Sequence, residues 1–307
     1  MLRSGLLALS TNEGIRHLAT RSSLGKRLAS RFVAGETIDE AIAATQELNV
    51  RGASVELDYL GEHVADLAQT GVAVSNYLDM LARIAGANIE AQVSVKPSQM
   101  GQELDDDLCY INFCRVLERA GEHENFVWMD MESSDFTERT LQLYTKLRAR
   151  FNNIGLALQA YLYRCRADVE AISSIVGTVR LVKGAYNEPH HVAFPRKRDV
   201  DDNFALLTEA LLSSKQFHAI ATHDEKMINH AIEFAKANGL SPQGFEFQML
   251  YGIRRDLQIR LLQGGYRLRV YVPYGEQWYP YLMRRMAERP ANLLFMVKNV
   301  ATEVWAR

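Results

Sequence analysis

Eight short β-prone runs, each followed by a stretch long enough for a helix, constrain this chain more than any other feature. The runs are 53–60 (ASVELDYL), 89–97 (IEAQVSVKP), 125–132 (NFVWMDME), 154–162 (IGLALQAYL), 178–186 (TVRLVKGAY), 217–224 (FHAIATHD), 245–252 (FEFQMLYG) and 267–275 (RLRVYVPYG). Between them lie segments such as DLCYINFCRVLERAG and DNFALLTEALLSS. Strict alternation of this kind predicts parallel strands joined by crossover helices. Eight units predict closure into a barrel, and 307 residues suit a (βα)8 barrel with additions. The competing open doubly wound sheet usually carries G-x-G-x-x-G after a strand, and neither that pattern nor a G-x-x-x-x-G-K-[ST] loop occurs.

Strand periodicity then sorts side chains. Outward residues of a barrel strand face helices and are apolar, while inward residues near the C-terminal end build a site. Val93 and Val95 outward turn Lys96 inward; Val127, Met129 and Met131 do the same for Asp130. Leu156 and Leu158 turn Gln159 inward, Val179 and Leu181 turn Arg180 inward, and Val270 and Val272 turn Tyr271 inward. Five polar groups aimed at one barrel top are costly to desolvate without a use. Lys183 and Gly184 end the fifth run, where close backbone approach and a cation suit a phosphate. His223 ends the sixth, and its role is even between structural hydrogen bonding and chemistry.

After the eighth run comes YPYLMRRMAERPAN, residues 279–292. Pro280 suits a first helical turn, and the residue before Pro290 avoids helical angles. Tyr281, Arg284, Arg285 and Glu288 share one helical face. That stripe is either a solvated face with an Arg–Glu pair or a carboxylate clamp of two guanidiniums. With Lys96, Asp130 and Arg180 it makes a cation-rich mouth rimmed by Tyr186, Tyr271 and Tyr281. Such a mouth suits a small anionic substrate and a phosphate-bearing cofactor.

Charge and cysteine usage narrow the class. Thirty-five basic against 37 acidic residues give −2, so nothing points to nucleic acid. No apolar run reaches the ~18–20 residues of a spanning helix. Cys109, Cys114 and Cys165 are odd in number and lack metal spacing, which predicts small buried thiols in a reduced compartment and no metal site. Residues 1–31 hold six Arg or Lys and one acid, Glu13. They read as an amphipathic arm for a membrane surface, as a helix packed on the main domain or a second subunit, or as a transit-peptide mimic. The division expected is an N-terminal helical arm, 1–50, and a barrel, 51–307.

The stretches VRLVKGAYNEP, ATHD, FEFQMLYGIR and VYVPYGEQWYPYLMRRMAERPAN resemble the motifs of proline dehydrogenase, and SVKPSQ, MDME and LQAYL match its earlier segments. The likeness runs from about residue 30 to about 295 and is to the monofunctional bacterial form. It implies a distorted (βα)8 TIM-type barrel that holds FAD and oxidises L-proline to 1-pyrroline-5-carboxylate. Hydride would pass to the flavin and electrons on to a membrane quinone. Carried over motif by motif, Arg284 and Arg285 bind the proline carboxylate with help from Lys96, and Glu288 pairs with them. Tyr271 and Tyr281 wall the ring pocket with Ala185, Tyr186 and Leu250. Asp130 lies beside substrate, and Arg180 lies at the flavin N5 edge. Gln159, Val182, Lys183, Gly184, Thr222 and His223 contact FAD, as does Met131 through its backbone. Asn187 stands where some relatives carry an aromatic residue. The resemblance further implies a cytoplasmic protein touching the inner membrane face transiently, or a mitochondrial matrix protein if residues 1–31 act as a transit peptide; a homo-oligomer is left open. From the residues alone, two other readings stand: a Schiff-base lyase using Lys96 or Lys183, and a membrane-surface scaffold built on the basic arm.

Overall fold

The computed structural model describes residues 22, 25, 29–61 and 64–288. Within them every expected run contains a strand. In chain order these are β1 (Ser54–Tyr59), β2 (Ala91–Val95), β3 (Val127–Met129), β4 (Ile154–Gln159), β5 (Thr178–Val182), β6 (Ala219–Ala221), β7 (Glu246–Leu250) and β8 (Arg267–Tyr274). All neighbours are parallel, and β1 pairs with β8 from Ser54↔Arg269 to Tyr59↔Tyr274, which closes the barrel. The helices are α1 (Ile38–Val50), α2 (Leu67–Ala87), α3 (Asp106–Glu122), α4 (Ser134–Arg148), α5 (Cys165–Ser174), α6 (Lys197–Ser213), α7 (Glu225–Ala237), α8 (Arg255–Gln263) and α9 (Trp278–Glu288). A 3₁₀ turn, Pro97–Met100, follows β2.

Helix starts follow local chemistry. Thr37 and Glu40 form a reciprocal capping box on α1. The carboxylates of Asp66, Asp105 and Asp224 accept backbone N–H groups at the starts of α2, α3 and α7. The outward residues Val55, Leu57, Val93, Val95, Leu156, Leu181, Val270 and Val272 are buried between barrel and helices. The three cysteines are free and buried, on α3 and α5. No described helix is long and apolar enough to cross a membrane.

Inside the barrel the filling is ionic rather than aliphatic. Toward the N-terminal end, Arg269 Nε donates to Glu246 Oε1 at 2.9 Å and its Nη1 to the Val55 carbonyl at 2.9 Å. Trp128 lies above, its Nε1 donating to Gln92 Oε1 at 2.9 Å. Gly155 is the residue opposite: a Cβ there would sit 2.6 Å from Trp128 Cζ3, so the indole fits only over glycine.

The N-terminal segment belongs to the mouth. Ala34 N–H donates to the Pro273 carbonyl at 2.9 Å and Gly275 N–H to the Gly35 carbonyl at 3.0 Å, which extends the β8 seam. Phe32 and Val33 pack with Leu60 and with Trp278, Tyr279, Tyr281, Leu282 and Met283 of α9. Because Leu60 immediately follows β1, this cluster seats α9 at the C-terminal end of the barrel.

Candidate functional site

Inward residues from β1, β2, β3, β5, β7 and β8 converge on one ionic floor below the C-terminal mouth. Arg180 is its centre. Its Nη1 contacts Glu56 Oε1 and, at 3.4 Å, Gln248 Oε1; its Nη2 contacts Asp130 Oδ1 and, at 3.2 Å, Ser94 Oγ. The guanidinium also stacks 5.2 Å from the Trp128 ring. Beside it, Lys96 Nζ donates to Asp58 Oδ1 at 2.5 Å and to Tyr271 Oη at 3.3 Å, and lies 3.4 Å from Asp130 Oδ2. Tyr271 Oη donates to Asp130 Oδ2 at 3.1 Å.

The floor is graded in depth. The Glu56 and Asp58 side chains are 0% and 1% exposed, Arg180 is 4%, Lys96 is 10% and Asp130 is 16%. Asp130 therefore presents its carboxylate to the mouth. Electrostatics follow that grading. Burial pushes the Asp58 carboxyl up to about 6 against the pull of Lys96, and burial likewise raises Glu56 against Arg180. Burial would raise Asp130 too, but Arg180 and Lys96 together outweigh it and hold that carboxyl below its ordinary value. Tyr271 is raised well above the usual phenol range by burial among three carboxylates, so it acts as a hydrogen-bond donor.

Around this floor the other expected residues fall at strand ends. Gln159 closes β4, buried, with Nε2 donating to the Met131 and Glu132 carbonyls at 3.2 and 3.1 Å. Its Oε1 is buried and has no hydrogen-bond partner among the described residues. Val182 closes β5, and its carbonyl accepts the Ala160 N–H at 2.8 Å. Lys183 contacts Asp201 and, at 2.8 Å, Asp224, so it enters an acidic cluster with Lys197 rather than projecting alone. Gly184 has φ +107°, and Ala185 and Tyr186 continue as an exposed loop. Thr222 is buried and His223 half-buried past β6; His223 Nε2 accepts the Leu250 N–H at 2.8 Å, which assigns the ring proton to Nδ1 in the neutral form. On α9 the Arg285 guanidinium lies 5.3 Å from the Tyr281 ring centre. The expected roles of Arg284 and Glu288 rest on side chains outside the described residues.

The structure thus brings together Lys96, Asp130, Arg180 and Tyr271, and it adds Glu56, Asp58, Ser94, Trp128 and Gln248, which the sequence reading did not name. The alternation signal was present for all five, since Ser94 lies between Val93 and Val95, Trp128 between Val127 and Met129, and Gln248 between Phe247 and Met249. In SVELDY, Val55 and Leu57 face out, and the same alternation turns Glu56 and Asp58 inward. Asp130's described ionic partners are Arg180 and Lys96. Both candidate Schiff-base lysines are engaged with carboxylates, whereas imine formation needs an uncharged amine.

A closed parallel barrel with polar groups gathered at the C-terminal strand ends defines a (βα)8-barrel protein with its chemistry at that mouth. Known proteins agree and are more specific. The family model described as proline dehydrogenase matches residues 41–298. Proline dehydrogenase 2 of Bacillus subtilis strain 168 is 38% identical over 298 residues, covering 97% of this chain and 95% of its own. Proline dehydrogenase of Deinococcus radiodurans is 39% identical over 305 residues, covering 98% of each chain. The chain belongs to the proline dehydrogenase family. Among solved structures, proline utilization A of Bdellovibrio bacteriovorus superposes with TM-score 0.81 at 23% identity over 85% of this chain. The corresponding protein of Bradyrhizobium japonicum gives 0.76 at 25% over 87%. This chain spans 32% and 31% of those longer proteins.

Proposed function

We propose that this protein is an FAD-dependent proline dehydrogenase, which oxidises L-proline to 1-pyrroline-5-carboxylate in the first step of proline catabolism. The convergence of Lys96, Asp130, Arg180 and Tyr271 on one floor carries this reading, and near full-length similarity to named proline dehydrogenases supports it.

The residues present fit a flavin. Gln159 Oε1 is a buried acceptor in want of an N–H donor, and cations stand at the ends of β2 and β5. Gln159, Val182, Lys183, Gly184, Thr222, His223 and the Met131 backbone would hold FAD, with Arg180 at the ring edge. When bound, FAD supplies a two-electron acceptor for hydride from the carbon next to the proline nitrogen. The chain's own groups do the rest. Arg284 and Arg285, assisted by Lys96 and paired with Glu288, fix the proline carboxylate and hence which carbon faces the acceptor. Ala185, Tyr186, Leu250, Tyr271 and Tyr281 wall the ring and exclude water. Asp130 keeps Tyr271 and Lys96 aimed at the substrate position.

In the same reading residues 1–50 form an arm and 51–307 the catalytic barrel, although Ala41 and Leu48 of α1 also join the main core. Electrons leave for a membrane quinone through transient surface contact by a cytoplasmic protein. The test is an absorption spectrum before and after anaerobic L-proline. Flavin bands near ~450 nm that bleach on addition are expected. A protein that stays colourless after reconstitution with FAD, or a flavin that proline leaves oxidised, overturns the reading.

A further inference from the structure

We propose that Glu56 is a positioning residue that sets how strongly Arg180 stabilises negative charge on the ring bound above it. The inference rests on the reading that Arg180 lies at the flavin edge. Arg180 is gripped at both ends of its fork, Nη1 by Glu56 from β1 and Nη2 by Asp130 from β3. Asp130 reaches toward the mouth, whereas Glu56 is fully buried, so Glu56 grips the guanidinium from beneath. Trp128 stacks on the guanidinium, and Ser94 and Gln248 add polar contacts, so residues from four other strands, β1, β2, β3 and β7, fix its orientation.

The charge count gives Glu56 its consequence. The floor holds three carboxylates, Glu56, Asp58 and Asp130, against two cations, Lys96 and Arg180. With Asp58 matched to Lys96, Arg180 faces two carboxylates at once. Its positive charge is then shared between two carboxylates, and in a buried layer that pairing is poorly screened. An electron-rich ring above would sense a floor held near neutral or negative. Glu56 therefore restrains the oxidising power of the site while fixing the cation's direction.

Glu56→Gln keeps the shape and the hydrogen-bond acceptor but removes the charge. The midpoint potential of the bound flavin, measured by spectroelectrochemistry, should become more positive. A tenfold shift of the two-electron equilibrium toward reduced flavin, about 30 mV, is the expected scale. Glu56→Asp keeps the charge but withdraws it by one methylene. It should give a smaller shift of the same sign, and it preserves the test if the amide variant does not fold. Unchanged potentials in variants that fold and bind flavin overturn the proposal. Wild-type protein in the same series separates the two ideas: a wild type without flavin, or with flavin that proline does not bleach, overturns the functional reading and this inference with it. A wild type that bleaches beside variants of unaltered potential overturns this inference alone.

Discussion

Arg285 shows how a residue can be recognised by type and still leave its target to experiment. It stacks over Tyr281, four residues earlier on the same helix, and Tyr281 is buried in the cluster that seats α9. That contact sets the guanidinium over the Tyr281 ring. Arg285→Met should raise the proline KM by roughly 30- to 5,000-fold, since truncating a charged contact costs roughly 2–5 kcal/mol. The ratio of flavin to protein absorbance should stay as in the wild type. A KM equal to wild type would remove Arg285 from the substrate site. At this scale the sequence was legible wherever one strand alone decided orientation. Lys96, Asp130, Arg180 and Tyr271 were all found by alternation of neighbours. Glu56 obeys the same alternation, but its importance comes from Arg180, 124 positions away, across the barrel. Lys183 followed the same logic: its pairing with Asp201 and Asp224 depends on how α6 and α7 begin beside β5, which a run of residues does not display.

Among the elements, β3 and β4 are the pair most dependent on each other. Trp128 of β3 points into the barrel and occupies the space that a Cβ at Gly155 of β4 would need. Gly155→Val should therefore destabilise the fold by roughly 1–3 kcal/mol through overpacking. Urea unfolding followed by tryptophan emission should report both the lost stability and a changed indole environment. Wild-type stability in this variant would show that the indole can leave the barrel at little cost. Element identity was readable from sequence because burial on both faces, turns and helical spacing recur eight times. What alternation does not display is how the inward polar groups pair across the barrel. An aliphatic-looking strand such as EFQML presents Phe247 and Met249 to the helices, yet it contributes Glu246 and Gln248 to the bore. A second gap was the segment before α1. Its hydrogen bonds to Pro273 and Gly275 make it an extension of the closing seam.

For the molecule as a whole, His218 adds a pH-dependent part of stability. It is fully buried at the N-terminal end of β6, where Nδ1 accepts the Val179 N–H at 3.1 Å and Nε2 meets Ser214 Oγ at 2.9 Å. Burial lowers its pKa from 6.5 to about 4, so between those values the unfolded chain binds more protons than the folded one. Stability from this group is full above pH 6.5 and declines as pH falls toward 4, by about 3 kcal/mol in total. Asp58 acts in the opposite sense, because its raised pKa favours the folded state at low pH. Comparing wild type with His218→Gln isolates the histidine. Urea midpoints taken from pH 7 to 4 should fall more steeply in the wild type, and parallel curves would refute the assignment.

The seam between β1 and β8 also governs how the molecule comes into being. Ser54 pairs with Arg269 and Tyr59 with Tyr274, while Phe32 and Val33 wait for Trp278 and Tyr281. On a ribosome adding about 5–20 residues per second, β1 exists for roughly 10–45 s before its second neighbour has been made. Through that interval one edge of β1, with its apolar Val55 and Leu57, has no strand beside it. Crowded synthesis is therefore the moment of greatest exposure to wrong pairing between nascent chains, and slowing translation near the end of the message would prolong it.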